Sequence, residues 1–153
     1  MSVPEHRPLY LDKADPTSYA AAGRLAESVG AAAEAAGLSR VLLELVNIRV
    51  SQINGCAYCL DLHRTRALEA GEEERRLLLL ETWSETELFT EEERAALLLA
   101  ESITRLPEPE ERRYAEDLAR AVLGDAAYVA VCWAAIAINA FNRVSITSHH
   151  PVR

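Results

Sequence analysis

Between Arg40 and Ile53 the sequence RVLLELVNIRVSQI leaves a helix almost no choice of where to sit. At about 100° per residue, Val41, Leu42, Leu43, Leu45, Val46, Ile48, Val50 and Ile53 cover nearly its whole circumference, and such a helix belongs in the middle of a bundle. Ser39 is its expected cap, and the helix runs roughly from Arg40 to Gln52. Its polar residues Arg40, Glu44, Asn47 and Ser51 fall in one narrow arc. A polar seam on a buried helix must face partners, water or a site.

The rest of the chain supports an all-α reading. Half of the 153 residues are hydrophobic, dominated by Ala and Leu with few aromatics, a composition that favours helix over strand. The length suits one domain with a sizeable core, so a single bundle of six to seven helices over residues 1–153 is expected. A formal net charge of −8 with a single lysine, Lys13, argues against a nucleic-acid surface, which needs clustered cations to displace counterions. The N-terminal segment lacks an apolar signal core, and the run Ala126 to Ile138 falls short of the roughly 20 residues that span a bilayer. No membrane segment and a cytoplasmic location are expected.

In order, residues 1–14 read as an extended arm. Asp15 and Pro16 have the form of a cap and first helical position of an Ala-rich helix that Gly37 closes. Gly23 and Gly30 share one face of it, where small residues permit close helix approach at a cost of roughly 1 kcal/mol each in propensity. Asn54-Gly55 interrupts the chain and starts a helix to Ala70, stopped by Gly71. A short helix over 72–82, a connector, a helix from Thr90 to Thr104 opened by the capping box Thr90/Glu93, and an amphipathic helix over 110–123 follow. The last long helix, Ala126 to about Val144, is apolar on nearly every side and reads as a central packing helix of the subunit or of an oligomer interface. Residues 146–153 read as a tail, with His149 and His150 mobile in it.

The chemistry concentrates in one stretch. On the helix after Asn54-Gly55, Cys56, Cys59, Leu60, His63, Ala67 and Ala70 lie within an arc of about 100°, so both thiols and the imidazole face the same way. Cys56 falls in the first turn, where free N–H groups and the helix dipole favour a thiolate. His63 stands four residues after Cys59, close enough to take its proton. Thiols at this spacing can bridge, so a sulfenic acid on one is captured by the other as a disulfide. Glu44 can accept the other imidazole N–H, provided the break folds the two helices back beside each other; Arg40, four residues before it, is its rival partner.

Blander roles exist for each residue. Cys56, Cys59, His63 and Glu44 can be read as a zinc set, though the spacing is unusual for one, or as inert core cysteines beside a satisfied histidine. Cys132, odd in number and flanked by Trp133, reads as packing. Tyr58 can donate a proton or simply pack. Asn139, Asn142 and Arg143 read as a polar helix end.

The pattern Glu44-x11-Cys56-x-x-Cys59-x-x-x-His63, the wording ELVNIRVSQINGCAYCLDLH around it and the later INAFNRVSI resemble the alkylhydroperoxidase D-like branch of the carboxymuconolactone decarboxylase family. The resemblance implies a helical homo-oligomer, trimer or hexamer, that reduces hydroperoxides with a cysteine pair. Cys59 would then attack the peroxide, Cys56 would resolve, and His63 with Glu44 would relay protons. Tyr58 departs from the best-known alkylhydroperoxidase D, which has a histidine directly before the second cysteine. The chemistry requires no metal or organic cofactor, but it needs a small hydroperoxide substrate and a reducing partner, for which the family suggests lipoyl-bearing proteins. The alternatives are decarboxylation or ring opening of a lactone acid, with His63 as acid–base, and a non-catalytic oligomer binding metal or a partner.

Overall fold

A computed structural model describes residues 7–153, which form eight α-helices and one 3-10 segment without a strand. The helices are α1 (Leu11–Ala14), α2 (Pro16–Ala35), α3 (Arg40–Asn54), α4 (Ala57–Glu69), α5 (Glu74–Leu79), α6 (Glu91–Arg105), α7 (Pro109–Leu123) and α8 (Asp125–Ser148), with the 3-10 segment at Leu80–Glu85. The all-α expectation holds, with one or two helices more than the six to seven expected.

The α3 helix takes the central place its circumference demands, packing on α4, α6 and α8. Leu42, Leu43, Val46 and Val50 join one apolar cluster with α8, while Leu45 and Ile48 join a second with Leu77, Leu80, Trp83 and Leu97. A helix that serves two clusters on opposite sides cannot spare a solvent face. Arg49 follows the same logic, with a partner far along the chain: it is buried, and its Nε donates to Glu101 Oε1 at 2.6 Å, the oxygen that also receives Trp83 Nε1 at 2.8 Å.

The caps form where the short-range signals place them. Asp15 accepts from Ser18 N, Ser39 from Leu42 N, and Thr90 and Glu93 complete their capping box. Gly55 ends α3 at φ 69°, a left-handed conformation in which glycine carries no Cβ penalty. The reversal there lays α4 back against α3.

The two ends of the chain differ from expectation. Residues 1–6 of the expected arm lie outside the described residues, and Leu11–Ala14 is a helical turn rather than extended chain. At the other end α8 continues to Ser148, and His150 is anchored rather than mobile. The reason is long-range: Leu11 N donates to the buried Ser148 Oγ, and Asp12 meets His150, contacts between residues 137 and 138 positions apart that no local pattern reports. By length and composition alone α8 could cross a bilayer. Its packing on α2, α3, α6 and α7 makes it a core helix of the bundle.

Candidate functional site

The dithiol lies at the start of α4. Cys56 is its N-cap rather than a first-turn residue, with Sγ accepting from Cys59 N at 3.3 Å, and Cys56 and Cys59 are joined as a disulfide with their Cα atoms 5.3 Å apart. Both are nearly sealed from solvent, at 1% and 3% exposed. Aiming Cys56 Sγ at the N-terminal N–H groups keeps the helix-dipole argument for an acidic thiol at that position.

Glu44 is completely buried and divides its carboxylate among three partners. Oε2 lies 2.6 Å from His63 Nδ1 and accepts from Asn47 Nδ2 at 3.3 Å, while Oε1 lies 2.6 Å from Arg40 Nη2. The Arg40 approach is poorly angled for a hydrogen bond, so Oε1 depends on the guanidinium charge. The choice between Arg40 and His63 that the sequence left open is resolved by one oxygen for each. Burial alone pushes the Glu44 carboxyl up, but the hydrogen bond and charge of His63, the charge of Arg40 and the Asn47 amide outweigh it and hold the group below its usual value. An ionised carboxylate thus orients the imidazole.

Beside this pair is a cavity of about 410 Å³. Cys59, His63 and Tyr58 of α4 open onto it, with Arg40, Leu43 and Asn47 of α3; Cys56 is not among its lining residues. The α8 side supplies Ala134, Ile138, Phe141 and Ser145. A dithiol sulfur, an imidazole and apolar walls therefore share one chamber. Two more open grooves, of about 450 and 600 Å³, are lined without any cysteine or histidine.

The remaining wall corrects the role expected of two glycines. Gly23 and Gly30 line the cavity, and a Cβ built on either meets nothing within 4 Å. They do not serve a close helix contact; they leave space. Gly23→Ala and Gly30→Ala are each expected to stabilise the fold by about 0.5–1 kcal/mol, because the helix gains propensity without a clash. Denaturant midpoints measure this, and a loss of stability would show that something occupies the space in solution.

Other candidates sort as structural. Asn54 Nδ2 donates to Asn139 Oδ1 and Asn142 Oδ1, both at 2.9 Å, and Asn142 Nδ2 donates to Ser51 Oγ at 2.9 Å. Arg143 Nη1 donates back to Asn139. This network ties the end of α3 to α8 and fixes the Asn54-Gly55 reversal from which α4 starts. The half-buried Cys132 lies outside the dithiol chamber, and burial raises its thiol above the ordinary value. Among the described residues no three His, Cys, Asp or Glu side chains converge as a metal set. Sequence reasoning missed Ser145 as a cavity residue and the anchoring of His150, because neither is near the motif in the chain.

Fold and site together define a class: a helical bundle in which one cysteine of a Cys-x-x-Cys pair and a histidine held by a buried glutamate line one chamber. The chain belongs to the carboxymuconolactone decarboxylase family, in its alkylhydroperoxidase D-like branch, and the family model matches residues 16–102. It is 39% identical over 112 residues to the uncharacterized protein YdfG of Bacillus subtilis (strain 168), covering 71% of this chain and 74% of that one. It is 33% identical over 70 residues to the uncharacterized protein YnjA of Escherichia coli (strain K12), covering 46% and 38%. Among solved structures it is similar to ATU0492 from Agrobacterium tumefaciens, a protein of unknown function proposed to be the antioxidant defence protein AhpD. That likeness has a TM-score of 0.85 at 31% identity and covers 97% of this chain and all of that one. These relationships support a role of the peroxidase-like or carboxymuconolactone decarboxylase-like kind.

Proposed function

We propose that this chain is a cysteine-based hydroperoxide reductase. The observation that carries the reading is that Cys59 and His63 line one cavity while Glu44 holds His63 Nδ1 at 2.6 Å and Cys56 is within bonding reach of Cys59. In the reduced chain His63 takes the Cys59 proton and Glu44 balances the imidazolium. The Cys59 thiolate attacks the distal oxygen of ROOH, the O–O bond breaks, and the products are the Cys59 sulfenic acid and RO⁻, which is protonated to ROH. Cys56 then attacks the Cys59 sulfur, releasing water and leaving the disulfide seen in the structure.

The lactone-acid decarboxylase alternative has no use for the sulfurs, so the cysteine pair beside the imidazole favours the peroxidase. No metal or organic cofactor enters the proposed steps. Turnover requires an external dithiol, and a lipoyl-bearing protein in a reducing cytoplasm fits that need. A homo-oligomer, trimer or hexamer, belongs to the same reading: Val129, Trp133 and Ile136 stand exposed along one stripe of α8, large apolar residues that a second copy would cover. A monomer in sedimentation analysis would remove that part.

The central test is thiol counting. The reduced chain has three thiols, Cys56, Cys59 and Cys132. One equivalent of an alkyl hydroperoxide is expected to leave one thiol and yield one equivalent of alcohol. Retention of all three thiols with the peroxide unconsumed would sink the reading.

A further inference from the structure

The α1 turn and the segment after α8 meet at the rim of the dithiol cavity. His150, two residues beyond α8, is held on three sides: Nε2 lies 2.9 Å from Asp12 Oδ1, Nδ1 lies 3.2 Å from Ser145 Oγ, and the ring stacks on Tyr10 with centroids 5.5 Å apart. Tyr58 packs against the same ring at 5.3 Å. Ser145 and Tyr58 both line the cavity that Cys59 and His63 line. A chain of carboxylate, imidazole and hydroxyl therefore ends at the chamber, from α8 rather than from α3 and α4.

Each link has a physical basis. A carboxylate and a hydroxyl oxygen are both acceptors, so a protonated His150 can donate from both nitrogens at once. The His150 hydrogen bond holds the Asp12 carboxyl below the usual carboxylate range, so Asp12 stays ionised and orients the ring. Lys13 Nζ sits 4.7 Å over the Tyr10 ring, and its charge adds to that of His150 in favouring the ionised Asp12.

The reaction proposed above poses two proton problems. One is removal of the Cys59 proton, which the Glu44–His63 pair addresses. The other is the alkoxide: an RO⁻ leaving group is a strong base, and breaking the O–O bond is easier when a proton reaches that oxygen as the bond breaks. We propose that Ser145, backed by His150 and Asp12, is a second proton path that protonates the alkoxide leaving group. Ser145 is the catalytic residue of this path, and His150 and Asp12 are positioning residues behind it. As the Cys59 sulfur takes the distal oxygen, the Ser145 O–H proton passes to RO⁻, giving ROH, while the His150 Nδ1 proton replaces it on Ser145. His150 is left neutral and is recharged from water. The inference rests on the peroxidase reading.

Leaving-group dependence separates this role from mere shape. Pre-reduced wild type, Ser145→Ala, Ser145→Thr and Asp12→Asn are each given a single turnover with tert-butyl hydroperoxide and with peracetic acid. The second releases acetate, which needs no proton. Ser145→Ala is expected to lose about 100-fold with the alkyl hydroperoxide and under about 3-fold with the peracid. Asp12→Asn should shift the same way by less, and Ser145→Thr, which keeps the hydroxyl, should recover most of the loss. Equal losses with both oxidants, or none with either, would overturn the second path while leaving the dithiol chemistry standing. A wild type that consumes neither oxidant overturns the peroxidase reading itself, and this path with it.

Discussion

Cys59→Ser is expected to abolish hydroperoxide consumption, a drop of about 10³-fold or more, the order seen when an enzymic nucleophile is removed. Cys56→Ser is expected to keep one turnover and then stop. The difference follows from position within the same turn of helix: Cys59 lines the chamber, whereas Cys56 caps α4 with its sulfur on the N–H of Cys59 and stays out of the lining. Acidity and access thus point to different sulfurs. The N-cap site favours a thiolate at Cys56, but a thiolate that the oxidant cannot reach is no peroxidase. In Cys56→Ser a sulfenic acid forms on Cys59 with no thiol to capture it, so further peroxide drives it to sulfinic acid. Mass spectrometry of the two variants after one and ten equivalents of peroxide distinguishes them. Sulfenic acid on Cys56 in Cys59→Ser, formed at the wild-type rate, would exchange the two roles.

Glu44→Gln is expected to slow Cys59 oxidation by about 100-fold or more while the bundle stays folded. Glutamine preserves the volume inside α3 but removes the charge that balances a protonated His63, and a single amide cannot serve His63 and Arg40 as two carboxylate oxygens do. The same residue predicts a stability signature. Because the folded carboxyl titrates below its ordinary value of 4.5, its contribution is fully present above that value and is lost as pH falls through the lower folded one. Wild type should therefore lose stability below about pH 4.5 more steeply than Glu44→Gln. Urea midpoints measured from pH 3 to 7 test the sign, and stopped-flow thiol loss tests the rate. Parallel acid limbs with a rate change under threefold would leave Glu44 as a structural partner of Arg40 alone.

Much of this arrangement is legible in the sequence. The apolar circumference of 41–53 placed α3 at the centre, and the caps at Asp15, Ser39 and Thr90 set where helices begin, because each signal acts within four residues. The shared face of Cys59 and His63 is equally local, whereas Cys56 leaves the expected arc because it caps α4 in an extended conformation. Gly23 and Gly30 differ from expectation for the opposite reason: a glycine on a helix face reads the same whether a neighbour fills the space or leaves it open. Helix number was low by one or two since single turns such as Leu11–Ala14 carry no periodicity to count.

By itself the sequence determined most of the helices, their buried faces and the display of Cys59 and His63 on one face of α4, since these follow from dihedral preference and a 3.6-residue period. Only the tertiary structure decided that Glu44 reaches His63, that an open chamber lies over Cys59, and that His150 returns to Asp12 beside Ser145. Those facts depend on how far α4 folds back at Gly55 and on the meeting of Asp12 and His150, 138 residues apart, and no periodicity within a helix encodes a distance between two helices.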